Sequence, residues 1–144
     1  MDIEEQMNSF LIDTNCLISY TTTRSKIQSE RISGYIEDAS NFKAEIIIIS
    51  NIITEFVYTL QSIYKVDSIF INRMLRDLLK NPGIKYQHGY FMSNILSLWP
   101  DKVKDYGDAV LAAAAFELKI PVLTIDKPFS KQLSLINIPH KLLL

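Results

Sequence analysis

The stretch Phe10-Leu11-Ile12-Asp13-Thr14-Asn15-Cys16-Leu17-Ile18 decides the fold of this chain. A short apolar run ends in an acid, residues able to cap a helix follow, and a second apolar run begins. The pattern predicts a buried strand over 9–12 that carries Asp13 at its end. A short helix over 14–20, capped by Thr14 or Asn15, comes next. In an open α/β sheet, ligands sit outside the carboxyl ends of the strands. Asp13 therefore stands where chemistry is expected.

Outward from this stretch, strands and helices alternate. Residues 27–39 place Ile27, Ile32, Tyr35, Ile36 and Ala39 at roughly helical spacing. Ile46 to Ile49 is a β-branched run, read as a central strand buried on both faces. Ser50 or Asn51 caps the next helix, whose stripe includes Ile52, Phe56, Leu60 and Ile63. Asp67 or Ser68 starts another, which Asn81-Pro82-Gly83 ends. A short strand at 84–86 and a helix over 89–98, stopped at Trp99-Pro100, come next. An Ala-rich helix over 105–118 leads into a strand at 121–125 that ends at Asp126. Residues 128–134 read as a short helix and 135–144 as an apolar tail with strand character. The expected architecture is three-layer α/β/α, a mostly parallel sheet with helices on both faces. With no linker or repeat in sight, residues 1–144 are read as one domain.

The chain is 48% hydrophobic and 22% charged, a globular balance. Its net charge of −1 gives no global positive field to attract nucleic acid. Setting four acids aside leaves 12 acids against 15 Lys and Arg, a weakly basic body around an acidic centre. One cysteine, Cys16, excludes an intrachain disulfide and suits a reducing cytoplasm. Met1 to Ser9 holds Asp2, Glu4 and Glu5 without a basic segment, so it does not read as a signal peptide. No apolar run reaches the length of a membrane span.

Four acids follow strands or open helices: Asp13, Glu55, Asp108 and Asp126. In a parallel sheet these points share one edge. Four carboxylates in one cleft repel, and some would hold protons at neutral pH. Mg²⁺ or Mn²⁺ relieves that repulsion, since both ions take oxygen ligands and tolerate substrate phosphate beside them. Such an ion acidifies water and stabilises a leaving oxygen, the equipment of a phosphodiester hydrolase. Each acid also has a purely structural reading. Asp13 serves as a helix cap, Glu55, Asp105 and Asp108 as helix-start acids, and Asp126-Lys127-Pro128 as a turn.

The order and spacing of four motifs resemble the PIN-domain nucleases, in particular the VapC-type toxins of bacterial toxin–antitoxin pairs. They are Leu11-Ile12-Asp13-Thr14-Asn15, Thr54-Glu55, Asp105-Tyr106-Gly107-Asp108 running into an Ala-rich helix, and Leu123-Thr124-Ile125-Asp126. The resemblance covers essentially the whole chain. It implies that Asp13, Glu55, Asp108 and Asp126 form a metal-binding catalytic centre, with Asp13 and Asp108 as direct ligands. Glu55 acts directly or through water, and Asp126 completes a second metal position or orients water. Asn15 and Thr124 support by hydrogen bonding, and Asp105 is an additional acid best read as a cap. The resemblance also implies an RNA substrate, a homodimer and a small antitoxin partner.

Three other readings stand beside this one: a PIN-like nuclease of RNA processing outside a toxin–antitoxin pair, a non-catalytic RNA- or partner-binding module, and an aspartate-nucleophile phosphatase. The phosphatase needs a second Asp two residues after the first, where this chain has Asn15. Cys16 reads as a small buried residue, and His88 and His140 as surface or loop residues. Arg24, Lys26, Arg31, Lys102, Lys104, Lys127 and Lys131 fall near predicted strand ends, as phosphate contacts or as a solvated face. Phe70, Met74, Leu78, Tyr90 and Phe91 read mainly as core, with a dimer or antitoxin surface as the other role.

Overall fold

The computed structural model describes residues 8–89 and 92–144. Tyr90, Phe91 and the acidic stretch with Asp2, Glu4 and Glu5 lie outside the described residues. The elements run β1 (Asn8–Ile12), α1 (Thr14–Thr21), α2 (Lys26–Ser40), β2 (Ala44–Ile49), α3 (Ser50–Ser62) and α4 (Ser68–Leu79). Then come β3 (Ile84–Gln87), α5 (Met92–Leu98), α6 (Tyr106–Leu118), β4 (Val122–Thr124), α7 (Lys127–Leu135) and β5 (His140–Leu142). The five described strands form one sheet in the order β3-β2-β1-β4-β5, and each neighbouring pair is parallel. Helices cover it in a three-layer α/β/α arrangement.

The middle strand is β1, and β2, expected as a central strand, lies in the interior beside it. Leu11 pairs with Ile47 on one side and with Val122 on the other. Leu11 and Ile12 are wholly buried, as a strand covered on both faces requires. β2 is interior, but its other neighbour is the edge strand β3, and Ile47 is only partly buried. On α3, Ile52, Phe56 and Leu60 recur every four residues and are buried. On α6, Ala109 to Ala115 are all buried, small residues that let the helix seat deep in the layer. Gly83 sits against α2, where a Cβ would overlap the backbone of Ala39.

The cap of α3 differs from expectation, while that of α1 follows the structural reading of Asp13. Asp13 itself caps α1, accepting from the Cys16 N–H at 2.8 Å, so Thr14 is already helical. Ile49 precedes α3 without a side-chain cap. The Ser50 hydroxyl instead meets His88 Nδ1 at 2.6 Å, and Asn51 Nδ2 donates to the Gly107 carbonyl at 3.5 Å. Tertiary partners have outcompeted the local cap. Asp67 caps α4 as one of the two expected residues. The strand before Asp126 stops at Thr124, and the C-terminal tail forms the edge strand β5. His140 lies on that strand, half-buried and bonded to Ser130, rather than in a loop.

Candidate metal centre

Because every strand runs the same way, Ile12, Ile49 and Thr124 end on one edge of the sheet. α1, α3 and α7 begin there, and α6 brings its first turn to the same place. A pocket of about 300 Å³ opens between them, lined by Asp13, Thr14, Asn15, Ile52, Glu55, Asp105, Asp108 and Asp126. The four acids singled out in the sequence share this pocket, and Asp105 joins them.

Asp13 is 4% exposed and is held on both oxygens. Oδ1 accepts from the Cys16 backbone N–H, and Oδ2 accepts from the Thr124 hydroxyl. The Thr124 oxygen in turn accepts from the Asp126 N–H at 3.1 Å. Burial raises the Asp13 carboxyl above its usual range, against the opposing pull of these hydrogen bonds. Asp126 caps α7, accepting from the Phe129 N–H at 3.0 Å. Asp105 caps α6, accepting from the Asp108 N–H at 2.9 Å.

Glu55 lies in the second turn of α3. Its Oε2 accepts from the Thr14 hydroxyl at 2.8 Å. Burial raises its carboxyl, the Thr14 bond lowers it, and the charges of Asp105 and Asp13 raise it again. Asp108 is the most perturbed acid. Burial first, then the charges of Asp105, Asp13, Asp126 and Glu55, push it from 3.8 up to about 7. Its carboxylate has no hydrogen-bond donor among the described residues.

The donor set is all oxygen and mostly carboxylate, and neighbouring negative charge raises the proton affinity of Asp13, Glu55 and Asp108. That chemistry fits a hard divalent cation. The side chains are not drawn in: among the described residues, no three Asp, Glu, His or Cys groups are gathered as a ready cation cage. Capping bonds hold Asp13, Asp105 and Asp126 to their own helices. Three helix N-termini also lend partial positive charge to the pocket.

A family model described as PIN domain matches residues 10–132. The chain belongs to the PIN domain family. This PIN domain is also similar to solved structures, with 16% identity and a TM-score of 0.61 to PAE2754 from Pyrobaculum aerophilum, over 88% of this chain and 87% of that one. It matches VapBC-1 from nontypeable Haemophilus influenzae with 15% identity and a TM-score of 0.64, over 93% of this chain and 97% of that one. For FitAcB from Neisseria gonorrhoeae the values are 12% identity and a TM-score of 0.61, covering 91% and 95%. A search among curated proteins finds no match to the sequence.

In this PIN domain the roles of two residues against Glu55 escaped the sequence reading. Thr14, read there as a cap, is the donor to Glu55. Gly107 lies so close to Glu55 that a Cβ would overlap the carboxylate Oε1. Thr124 donates a hydrogen bond to Asp13, while Asn15 makes no side-chain hydrogen bond among the described residues. The contact at residue 15 is its carbonyl, which accepts from Arg24 Nη2 at 3.0 Å. Among the expected phosphate-contact residues, Lys102 lines a different cleft, beside Phe116 and Leu135. Cys16 is buried with its thiol pushed well up, mainly by burial, and is inert as a nucleophile. Leu78 is core, whereas Phe70 is 61% exposed.

Proposed function

We propose that this chain is a divalent-metal-dependent endoribonuclease and acts as the toxin of a toxin–antitoxin pair. One observation carries the reading: five acids line one pocket, and Asp108 is pushed up to about 7 by burial and by the other four. Asp13 and Asp108 would hold Mg²⁺ or Mn²⁺, with Glu55 and Asp126 completing the set directly or through water. When bound, the ion supplies charge neutralisation and acidified water for attack on a phosphodiester.

The chain's own residues do the rest. Cys16 N–H and the Thr124 hydroxyl fix the Asp13 carboxylate at the strand end. Thr14 occupies Glu55 Oε2 and leaves Oε1 facing Gly107. Asp108, without a fixed donor, is the acid best suited to exchange a proton for a cation. In-line displacement would leave a 5′-phosphate and a 3′-hydroxyl.

The toxin role rests on the VapC-type motif order and on likeness in fold to VapBC-1 and FitAcB. With it come a small antitoxin partner, a homodimer, a cytoplasmic location and one nuclease domain spanning residues 1–144. Among the described residues, no helix is long and apolar enough to cross a membrane. The test is cleavage of structured RNA with Mg²⁺, with EDTA, and by Asp13→Asn. Cleavage only in the first case is expected, and equal cleavage in all three overturns the reading.

A further inference from the structure

A second groove, of about 440 Å³, lies beside the acidic pocket between α3, α4 and β3. α3 is the shared wall. Ile52 and Glu55 line the acidic pocket, while Ser50, Ile53 and Thr54 line the groove. The two sites are thus about one helix diameter, roughly 10 Å, apart. That separation is one to two nucleotides along a single strand.

The groove has a different chemistry from its neighbour. Leu75 and Leu79 make an apolar wall, and no Asp, Glu, Lys or Arg lines it among the described residues. Its polar groups are hydroxyls and one imidazole. The exposed His88 is tied by Nδ1 to the Ser50 hydroxyl at 2.6 Å, which fixes the ring and leaves Nε2 outward. Tyr86 lines the groove from the edge strand, and its hydroxyl oxygen is buried without a hydrogen-bond partner among the described residues. The ring of Tyr86 is half-buried, so its hydroxyl is tucked inward while part of the ring faces the groove. A slot free of lysine and arginine, with an aromatic wall and a few donors and acceptors, suits a flat heterocycle better than a phosphate.

We infer that this groove takes an unpaired nucleobase of the RNA strand whose phosphodiester lies in the acidic pocket. The inference rests on the nuclease reading above. Tyr86 and His88 supply the stacking surface and base-edge contacts, as aromatic platforms do for single strands. Cleavage would then favour loops or single-stranded segments, where a base is free to turn outward.

The test uses the full chain and a single-stranded oligoribonucleotide carrying 2-aminopurine. Binding is followed by fluorescence with Asp108→Asn, which leaves the groove untouched. Quenching of the probe is expected, with affinity about tenfold weaker for Tyr86→Ala and several-fold weaker for His88→Ala in the same background. An abasic residue at the probed position should abolish the effect of His88→Ala. His88 is exposed, so that variant keeps the fold, and Tyr86→Phe tests the hydroxyl alone. With Asp108 intact, His88→Ala should raise KM and leave kcat unchanged. If the protein cleaves RNA but these variants alter neither KM nor fluorescence, the groove is no base site and the nuclease reading survives. If quenching occurs without cleavage, the groove inference stands and the nuclease reading falls. A groove that takes an apolar protein segment instead leaves oligonucleotide binding unchanged in every variant, and that overturns the inference.

Discussion

The Thr14 hydroxyl donates to the Glu55 carboxylate at 2.8 Å, joining the first turn of α1 to the second turn of α3 across 41 residues of sequence. This bond sets one wall of the acidic pocket relative to the strand that carries Asp13. It also holds down the proton affinity of Glu55, which burial and two neighbouring acids raise.

Thr14→Val removes the donor and keeps the shape. Glu55 then loses a stabilised anion and its carboxyl rises further. The acidic limb of the pH–rate profile should move to higher pH, while stability changes by only about 1 kcal/mol. Thr14→Ser should restore the profile. A limb that stays in place would show that Glu55 ionisation does not limit the rate.

Gly107→Ala tests the other side of Glu55. The added Cβ would overlap Oε1, so the carboxylate must swing away. Metal-dependent cleavage should fall at least tenfold with little loss of fold. Gly34 in α2 is the control, because a Cβ there meets nothing within 4 Å. Gly34→Ala should leave activity alone and stabilise by about 0.5–1 kcal/mol, read as an increase in denaturation midpoint.

The ion-free protein should become less stable as pH rises from 3.8 to about 7, the unfolded and folded values for Asp108. Between them the folded state holds a proton that the unfolded chain has released. The contribution is fully present below the lower value and gone above the upper one. Asp108→Asn should flatten this part of the curve and raise the thermal midpoint at neutral pH. A wild-type midpoint that climbs over the same range contradicts the assignment.

Divalent ions should act against the same proton. Adding Mg²⁺ or Mn²⁺ at about a hundred times its Kd should stabilise the protein by about 2.7 kcal/mol, reversed by EDTA. Thermal scans of Asp108→Asn and Glu55→Gln should show much smaller shifts. Equal shifts in wild type and variants would place the ion elsewhere.

Thr124→Val is expected to weaken two residues together. The Thr124 hydroxyl donates to Asp13 and accepts from the Asp126 N–H. Thr124 is fully buried, so its loss should cost about 1–3 kcal/mol in denaturant unfolding. Thr124→Ser should recover most of that cost, which a purely volumetric effect would not allow.

The elements legible in the sequence were those with unbroken apolar runs. β1, β2 and β4 announce themselves because parallel strands buried on both faces need no alternation. The edge strands β3 and β5 are harder, since Lys85 and Lys141 face solvent and dilute the pattern. The order of strands was beyond reach: nothing in Ile46–Ile49 says that Phe10–Ile12 and not itself will be central. The acids at strand ends were legible because parallel topology alone sends them to one edge. What holds them was not. Thr14 is a competent cap by type, and only the approach of α3 turns its hydroxyl toward Glu55. Gly107 is silent until the packing of α6 on α3 gives its missing side chain a purpose.

Asp13, Asp105 and Asp126 each close the first turn of a helix as well as facing the pocket. Acidity at this edge is therefore a condition of folding. A variant that gave up Glu55 or Asp108 would lose no helix cap. It cannot discard the capping acids without loosening three helices. A chain that kept these three caps would keep an acidic edge even where Glu55 and Asp108 had been replaced.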